Sequence, residues 1–539
     1  MPAIANEINM LRCIILMMIC SLAGGCLTHN KAVSMYGPYL ESMGPSEMIV
    51  RWVAESGDLG VVQWGKENHS DNRLQIEPVP YRYIEDLSIA KKPLDEIKPA
   101  QYSNVWFYAA RLNNLKPGTE YQYRVTYKGK KHDAKFRTFP SEQEPFNFIV
   151  FSDVHIDEVV AKWFPHYNPS FLINCGDLVD REHLPQYLSF FSPDMIDATK
   201  SAPMYVARGN HDQSGKILEK LFTYPAGRLY YSFDYANVHF VCLDACLWRW
   251  PNGDEDTKTM LAWCEADLKN SKADWKILFF HEPVYDMSYR RTSWERPAAM
   301  KVFRENGVDL IFCGHAHSYQ RFAPLYMPGV NDDHPITQII TAGGGKKYIA
   351  MPKTASPHLT VRKSISHFMS CRADKDSLEI SAIGLDGVEF DKLIIIKSDR
   401  KLDDAYLALA QPETPFATIE SGFRRWTLPK RNISAGEEFE FEVVMPADTE
   451  PYDFELTLDN DSQKVVEFVQ PAKGNVTEGQ DKAVAVKLRA LQDIMPPEQG
   501  SKAQPLFWLE CHYKSGKHTG IIASEPLVVP QVVSTSNEK

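Results

Sequence analysis

The chain has no excess of basic residues, few cysteines and almost no long apolar run. Lys and Arg number 59 against 70 Asp and Glu in 539 residues, which gives a net charge of −11. A mildly acidic chain argues against nucleic-acid binding through a basic face. The 10 cysteines follow no spacing typical of a disulfide framework. With 44% hydrophobic residues and no internal repeat, the sequence predicts a soluble globular protein of about three domains.

The one extended apolar run lies near the N-terminus, from Cys13 to Leu22. It has the length of a signal-peptide core and is too short to span a bilayer. Small residues before Cys26 resemble a bacterial lipoprotein signal, although Ala23 stands where such signals usually carry Leu. We expect residues 1–26 to direct export to the periplasm or cell envelope, either with a lipid on Cys26 or as an ordinary cleaved signal peptide. Contact with a membrane is expected only through that lipid.

Two outer regions carry the alternating pattern of half-buried strands. Residues 32–140 contain several short strand-like runs separated by turn residues, such as 48–53 and 118–125. This spacing predicts a β-sandwich of immunoglobulin or fibronectin-III type. Alternation returns in residues 426–530 and predicts a second β-sandwich-like domain.

The central region, residues 146–398, has a different period. Apolar strand-like runs alternate with helical segments such as 257–270, and paired strands close the region. This order predicts a layered α/β domain whose sheet becomes mixed towards its end. Phe146 to Phe151 forms its first strand, which is apolar enough to be buried on both faces.

Five strand ends in the central region are followed by polar residues of similar chemistry. They supply aspartates, histidines and one asparagine, often beside a glycine that permits a close approach of the backbone. The residues are Asp153 and His155, Asp177, Asn210 with His211 and Asp212, His281, and His315 with His317. Because chemistry in open α/β sheets lies at the carboxyl ends of strands, we expect these side chains to converge. Asp153 and His155, two residues apart, are expected to share one side of an extended segment.

The donor types fit a pair of metal ions. Seven side chains satisfy two cations with about four contacts each if one carboxylate is shared. Mixed imidazole and carboxylate ligation suits first-row transition metals such as Fe, Zn or Mn, and no thiolate is present.

The order of these motifs resembles the calcineurin-like metallophosphoesterase superfamily. With a β-sandwich ahead of the catalytic domain, residues 34–397 are most similar to its purple acid phosphatase branch. The run from Gly314 to Arg321 and the glycines of Thr341 to Gly345 add to the likeness. The resemblance implies a four-layer α/β/β/α sandwich for residues 146–398.

The resemblance also implies a role for each motif residue. Asp153, His155 and His317 would bind the first metal; Asn210, His281 and His315 would bind the second; and Asp177 would bridge both. His211 would lie beside the metals and act on the substrate, and Asp212 would hold the His211 ring.

The sequence departs from the purple branch at the first metal. That branch binds iron through a Tyr three residues after the bridging Asp, where this chain has Asp180, and it lacks a His equivalent to His155. The resemblance therefore implies a site closer to that of the wider superfamily, without the purple colour that tyrosinate on ferric iron gives.

The implied reaction is hydrolysis of a small phosphate ester, most readily a monoester, by an acid-phosphatase-like hydrolase. Water activated by the two cations would attack phosphorus, and His211 would protonate the leaving group. Tyr285, Tyr319 and Arg321 are candidate contacts for substrate oxygens. Two alternatives remain open: a phosphodiesterase acting on nucleotides or lipid headgroups, and a non-catalytic surface binding protein. The sequence does not indicate the oligomeric state.

Overall fold

The structure is a computed structural model. It describes residues 35–84, 102–140, 142–155, 158–249, 255–286, 296–322, 336–345, 359–397 and, with short gaps, 432–523. The expected leader and Cys26 lie outside these residues. Among the described helices, none combines the length and apolarity needed to cross a membrane.

The N-terminal region is a sandwich of two antiparallel sheets. Their strands follow one another as β1 (Met35–Glu41), β2 (Met48–Ala54), β3 (Gly60–Gly65), β4 (Asn72–Ile76), β5 (Val79–Ile84), β6 (Tyr102–Leu112), β7 (Glu120–Tyr127) and β8 (Lys130–Arg137). One sheet has the order β1-β2-β6-β5 and the other β4-β3-β7-β8. Trp52 and Tyr108 stack between them with ring centroids 4.6 Å apart. The expected sandwich is therefore present.

The described residues of the central region form thirteen strands in two sheets. They are β9 (Phe146–Phe151), β10 (Phe171–Asn174), β11 (Met204–Val206), β12 (Tyr231–Tyr235), β13 (Val238–Cys242), β14 (Trp275–Phe280), β15 (Leu310–Cys313), β16 (Tyr319–Phe322), β17 (Thr337–Thr341), β18 (Leu359–Lys363), β19 (His367–Ala373), β20 (Ser377–Gly384) and β21 (Glu389–Ile396). The first sheet has the order β11-β10-β9-β19-β20-β21 and the second β12-β13-β14-β15-β17-β16-β18.

The two central sheets pack face to face through aromatic side chains. Phe240 of the second sheet lies 5.4 Å from Phe148 and 5.2 Å from Phe171 of the first, measured between ring centroids. Helices cover the outer faces: α1 (Leu184–Phe190), α2 (Pro193–Thr199), α3 (Leu218–Leu221), α4 (Glu255–Asn270) and α5 (Arg296–Glu305). Apolar residues of α4 and α5, including Leu268 and Phe303, share a buried cluster with the second sheet. The expected layered α/β fold is confirmed.

Parallel pairing explains why the five motifs meet. β9 pairs in parallel with β10, and β10 with β11, in the first sheet. β14 pairs in parallel with β15 in the second. The carboxyl ends of these five strands therefore lie at one edge of the two facing sheets, where all five motif loops begin.

The C-terminal region is a smaller pair of antiparallel sheets. Its strands are β22 (Glu438–Met445), β23 (Tyr452–Leu458), β24 (Val466–Phe468), β25 (Ala472–Val476), β26 (Lys482–Ala490), β27 (Leu509–Ser515) and β28 (His518–Ala523). The sheet orders are β22-β26-β24 and β25-β23-β27-β28. Its buried residues, such as Phe439 and Phe454, join the apolar cluster that underlies α4 and α5.

Candidate metal centre

The first group of donors is formed by the loops after β9 and β15. Donor atoms of Asp153, His155 and His317 all lie within 4.8 Å of one another. His155 Nε2 and His317 Nε2 are 3.0 Å apart, and His317 Nε2 is 3.4 Å from Asp153 Oδ1. All three residues are buried.

The second group of donors is formed by the loops after β10, β11, β14 and β15. His281 Nε2 lies 3.1 Å from Asp177 Oδ2 and 3.1 Å from Asn210 Oδ1. His315 Nδ1 lies 2.8 Å from the same Asn210 oxygen. His281 Nδ1 donates to the carbonyl oxygen of Cys175 at 2.9 Å, which leaves Nε2 as the ring atom directed at the group.

Asp177 joins the two groups. It belongs with His281 and His315, and it also lies within 4.8 Å of the donor atoms of His155 and His211. The structure thus brings together all seven sequence-predicted ligands around Asp177, with His211 beside them.

The spacing of the donors suits metal ions. With metal–ligand bonds of about 2.1 Å, donors stand about 3.0 Å apart at right angles and about 3.4 Å apart at tetrahedral angles. The contacts between His155 and His317, and between His281 and Asp177, measure 3.0 and 3.1 Å. Asp153 and Asp177 are fully buried, and buried carboxylates need compensating positive charge. The donor set therefore fits a pair of cations.

The electrostatics of the centre also favour positive charge. Burial opposes ionisation of Asp177, but the neighbouring His281, His211 and His155 hold the pKa of this carboxyl well below its usual range. Burial likewise opposes protonation of His281, yet the charges of Asp177 and Asp153 raise its pKa to about 9. The buried carboxylates thus stabilise positive charge on the neighbouring imidazole.

The backbone of the centre is strained. Asp153, His155, Asp177, His315 and His317 all adopt positive φ angles, between 46° and 72°. Such a conformation costs about 1–2 kcal/mol for each residue other than glycine, and strain of this kind clusters at functional sites. The expectation of an extended segment for Asp153 and His155 is wrong. Their backbone N–H groups instead donate to the carbonyls of Gly176 and Asp177, at 3.1 and 3.0 Å, and these bonds offset part of the cost.

Glycines allow the motif loops to approach one another. A Cβ atom on Gly209 would lie 2.1 Å from Asp177 Oδ1, and one on Gly314 would lie 2.5 Å from Asp153 Oδ2. The glycine run after β17 packs behind the first motif, where a Cβ on Gly345 would lie 2.4 Å from the Val154 carbonyl oxygen. A side chain at any of these positions would displace a predicted ligand or its loop.

His211 is partly exposed and its ring is fixed by the main chain. Nδ1 lies 2.7 Å from the carbonyl oxygen of Asp180, so Nδ1 carries the proton and donates. The backbone N–H of His211 donates to Asp177 Oδ1 at 2.8 Å. The expectation that Asp212 holds the His211 ring is therefore wrong.

Asp212 instead ties two motif loops together. Its buried carboxylate accepts from the N–H groups of Asp177 and Gly209, at 3.0 and 2.8 Å, and from the Tyr187 hydroxyl at 2.9 Å. Burial, and then the charge of Asp177, raise the pKa of the Asp212 carboxyl above its usual range. Asp212 thus positions the loops and is not a catalytic residue in the sense predicted.

The three candidate substrate contacts have other roles in the structure. Asp391 of β21 accepts from the Tyr319 hydroxyl at 2.6 Å and from Arg321 Nε and Nη2, at 2.7 and 3.0 Å. Tyr285 is buried in the apolar cluster beneath α4 and α5. The expected contacts with substrate oxygens thus find no support in the geometry.

Asp180 has a role that sequence reasoning missed. Its carboxylate oxygen Oδ1 lies 3.0 Å from His155 Nδ1. The signal was present, because Asp180 and His155 are both positions at which the sequence was found to depart from the purple branch at the first metal.

Comparison with known proteins identifies two of the domains. Residues 146–319 match the calcineurin-like phosphoesterase family model, and residues 37–143 match the model for the purple acid phosphatase N-terminal domain. The chain carries a calcineurin-like metallophosphoesterase domain. It follows a purple acid phosphatase N-terminal domain, as the sequence predicted.

Individual relatives agree with this assignment. Purple acid phosphatase 21 of Arabidopsis thaliana is 26% identical over 292 residues, which cover 49% of this chain and 64% of the relative. The match therefore spans slightly under two thirds of that protein. "Probable inactive purple acid phosphatase 1" of the same plant is 23% identical over 446 residues, 70% of either chain. The chain thus resembles both a protein named as a purple acid phosphatase and one named as a probable inactive purple acid phosphatase.

A solved structure supports the fold. The purple acid phosphatase isolated from yellow lupin (Lupinus luteus) seeds superposes with a TM-score of 0.54 at 18% identity, and the match covers 67% of this chain and 74% of the lupin chain. At this identity, the likeness shows a common fold.

Proposed function

We propose that this metallophosphoesterase is a phosphomonoesterase that uses two transition-metal ions, Fe, Zn or Mn, and acts on small phosphate esters. The observation that carries the proposal is the meeting of two donor groups at Asp177, with the partly exposed His211 beside them. A site with one group would fit a single structural ion. Two groups that share a carboxylate match the two-metal arrangement of phosphoester hydrolases.

The chain's own residues account for the order of events. Bound cations would supply Lewis acidity that neutralises phosphoryl charge and acidifies an attacking water. The hydrogen bond from Nδ1 to the Asp180 carbonyl oxygen would orient the His211 ring so that Nε2 faces the ester oxygen. Nε2 would give this oxygen a proton as the leaving group departs. Asp212 would hold the Asp177 and His211 loops in register through its contacts with Asp177 and Gly209. Asp153 and Asp177 would supply the negative charge that retains the cations.

Turnover of p-nitrophenyl phosphate and of bis-p-nitrophenyl phosphate by the metal-loaded protein tests the substrate class. A monoesterase prefers the first compound, since its dianionic phosphoryl group fits between two cations. A strong preference for the diester would replace the proposal with the phosphodiesterase alternative.

A non-catalytic binding role is the second candidate, because one relative is named as a probable inactive phosphatase. Against it, this chain keeps all seven predicted ligands and His211 in one place. A protein that binds two metals but turns over neither ester would favour the binding role.

The proposal includes export, with residues 1–26 as the leader. Small-molecule phosphate esters are the proposed partners, and no nucleic acid is expected on a chain of net charge −11.

A further inference from the structure

Asp180 contacts two residues of the metal centre through two different parts of its structure. Its side chain reaches His155 Nδ1 at 3.0 Å, and its main-chain carbonyl oxygen accepts from His211 Nδ1 at 2.7 Å. The carboxylate contact has the length of a hydrogen bond but not its alignment. One contact uses the side chain and the other the main chain, so each can be altered without the other.

The side-chain contact bears on metal binding. A carboxylate beside Nδ1 favours the tautomer with the proton on Nδ1, and this leaves the lone pair on Nε2. Nε2 of His155 is the atom that faces His317, 3.0 Å away. The His155 side chain is 2% exposed and that of Asp180 29%, so the imidazole is buried and the carboxylate is partly exposed.

The main-chain contact bears on His211 and does not depend on the carboxylate. The backbone N–H groups of Asp180 and Arg181 both donate to Gln186 Oε1 on α1, each at 3.0 Å. Gln186 thus fixes the peptide whose carbonyl group holds the His211 ring. Replacing the Asp180 side chain leaves this carbonyl group and its anchor in place.

We propose that Asp180 is a positioning residue with two separable effects, an inference that rests on the proposed function. Its carboxylate orients His155 and strengthens it as a donor to the first cation. Its carbonyl group, anchored by Gln186, orients His211 for proton transfer. Asp180 thus contacts His155, a proposed ligand of the first cation. In the purple branch, the Tyr at this position binds the metal directly.

The test compares Asp180→Asn, Asp180→Ala and Gln186→Leu in the full-length protein. Zn²⁺ affinity is measured by titration of metal-free protein, and the dependence of turnover on leaving-group pKa is measured with a series of aryl and alkyl phosphates. Asp376→Asn is the matched control. It is an exposed Asp beyond β19, whose end pairs with the first residue of β9, at the opposite edge of the sheet. Thermal unfolding of each variant checks that it folds.

The Asp180 variants and Gln186→Leu are expected to change different quantities. Asp180→Asn lowers the affinity for one of two Zn²⁺ ions about 10-fold and Asp180→Ala up to about 100-fold, with the leaving-group dependence unchanged. Gln186→Leu steepens the leaving-group dependence and leaves Zn²⁺ affinity within about 3-fold of wild type. The control changes neither.

Two results would overturn the inference. One is wild-type Zn²⁺ affinity in Asp180→Ala, and the other is an altered leaving-group dependence in Asp180→Asn. The proposed function fails in a different way, because the wild-type protein would then bind no Zn²⁺ or turn over no ester.

Discussion

Nδ1 of His211 donates to the main-chain carbonyl oxygen of Asp180 at 2.7 Å, so the ring is fixed by backbone rather than by a carboxylate. A carbonyl acceptor sets the tautomer without adding a negative charge that would hold the proton. For the proposed phosphomonoesterase activity, this arrangement leaves Nε2 of His211 suited to give a proton to a leaving group.

His211→Gln is expected to slow hydrolysis of alkyl phosphates about 10²–10⁴-fold, the usual contribution of a general acid. Hydrolysis of p-nitrophenyl phosphate should fall far less, because that leaving group departs without a proton. Steady-state kcat/KM on both substrates measures the difference. His166→Gln, at an exposed histidine outside the donor groups, is the control. Equal losses on the two substrates would remove His211 from the role of general acid.

Arg321→Met should destabilise the protein and leave KM unchanged. The guanidinium group forms a two-point contact with Asp391, and the two side chains are only 15% and 10% exposed. Leaving the Asp391 carboxylate without it should cost about 2–3 kcal/mol of unfolding free energy. Lys392→Met, next to Asp391 on β21, is the control. The side chains of Lys392 and Glu379, which contact each other, are each 40% exposed, so the loss of this contact should cost less than about 1 kcal/mol of unfolding free energy. Urea denaturation and KM are the measurements. A tenfold rise in KM with normal stability would restore Arg321 as a substrate contact.

His239 is expected to make stability depend on pH. Burial lowers its pKa, but hydrogen bonds with Asp234 and Asp267 raise it to about 9, against an ordinary value of 6.5 for histidine. Because the folded-state pKa is the higher one, this stabilisation is complete below about pH 6.5 and is lost as the pH rises through 9. The Asp234 side chain is 71% exposed, so solvent weakens its interaction with His239. We therefore expect the charged His239 to contribute about 2 kcal/mol to the free energy of unfolding.

Urea denaturation at pH 6 and pH 9.5 measures this effect. The loss of stability between the two values should be smaller in His239→Gln than in wild type. His166→Gln should behave as wild type. An equal loss in His239→Gln would mean that the two carboxylates do not stabilise a charged imidazole.

The iron-loaded protein should lack the purple colour that tyrosinate on ferric iron gives. The position three residues after Asp177 is Asp180, whose carboxylate lies beside the His155 ring, so no tyrosinate is expected on a ferric ion there. Visible absorption spectra of wild type and Asp180→Tyr, both loaded with iron, make the comparison. A purple wild-type protein would show that a tyrosine binds the metal.

The sequence predicted those strands whose residues are clearly buried. The strand from Phe146 to Phe151 appears with those bounds, because an apolar run between turn residues has few alternatives. Strand β5 was not predicted, since it contains Pro80 and lies at a sheet edge, where proline is tolerated. Helices α1 and α2 have seven residues each and are too short to show a helical period.

The candidate site was predictable in its membership but not in its local geometry. Parallel pairing brings the ends of neighbouring strands to one edge within each sheet, and the two sheets face each other, so the convergence of the motif residues follows from topology. The positive φ angles of Asp153 and His155 follow from hydrogen bonds to Gly176 and Asp177, which lie on another loop. The partners of Asp212, Tyr319 and Arg321 likewise come from distant segments that motif spacing does not locate.

The most direct test of the two-metal account is elemental analysis of the purified full-length protein beside Asp177→Ala, with phosphatase activity measured on the same samples. We predict two transition-metal ions per wild-type chain, and in the variant the loss of at least one ion together with nearly all activity. A wild-type protein without metal, or a variant that hydrolyses phosphate esters as well as wild type, would contradict the account.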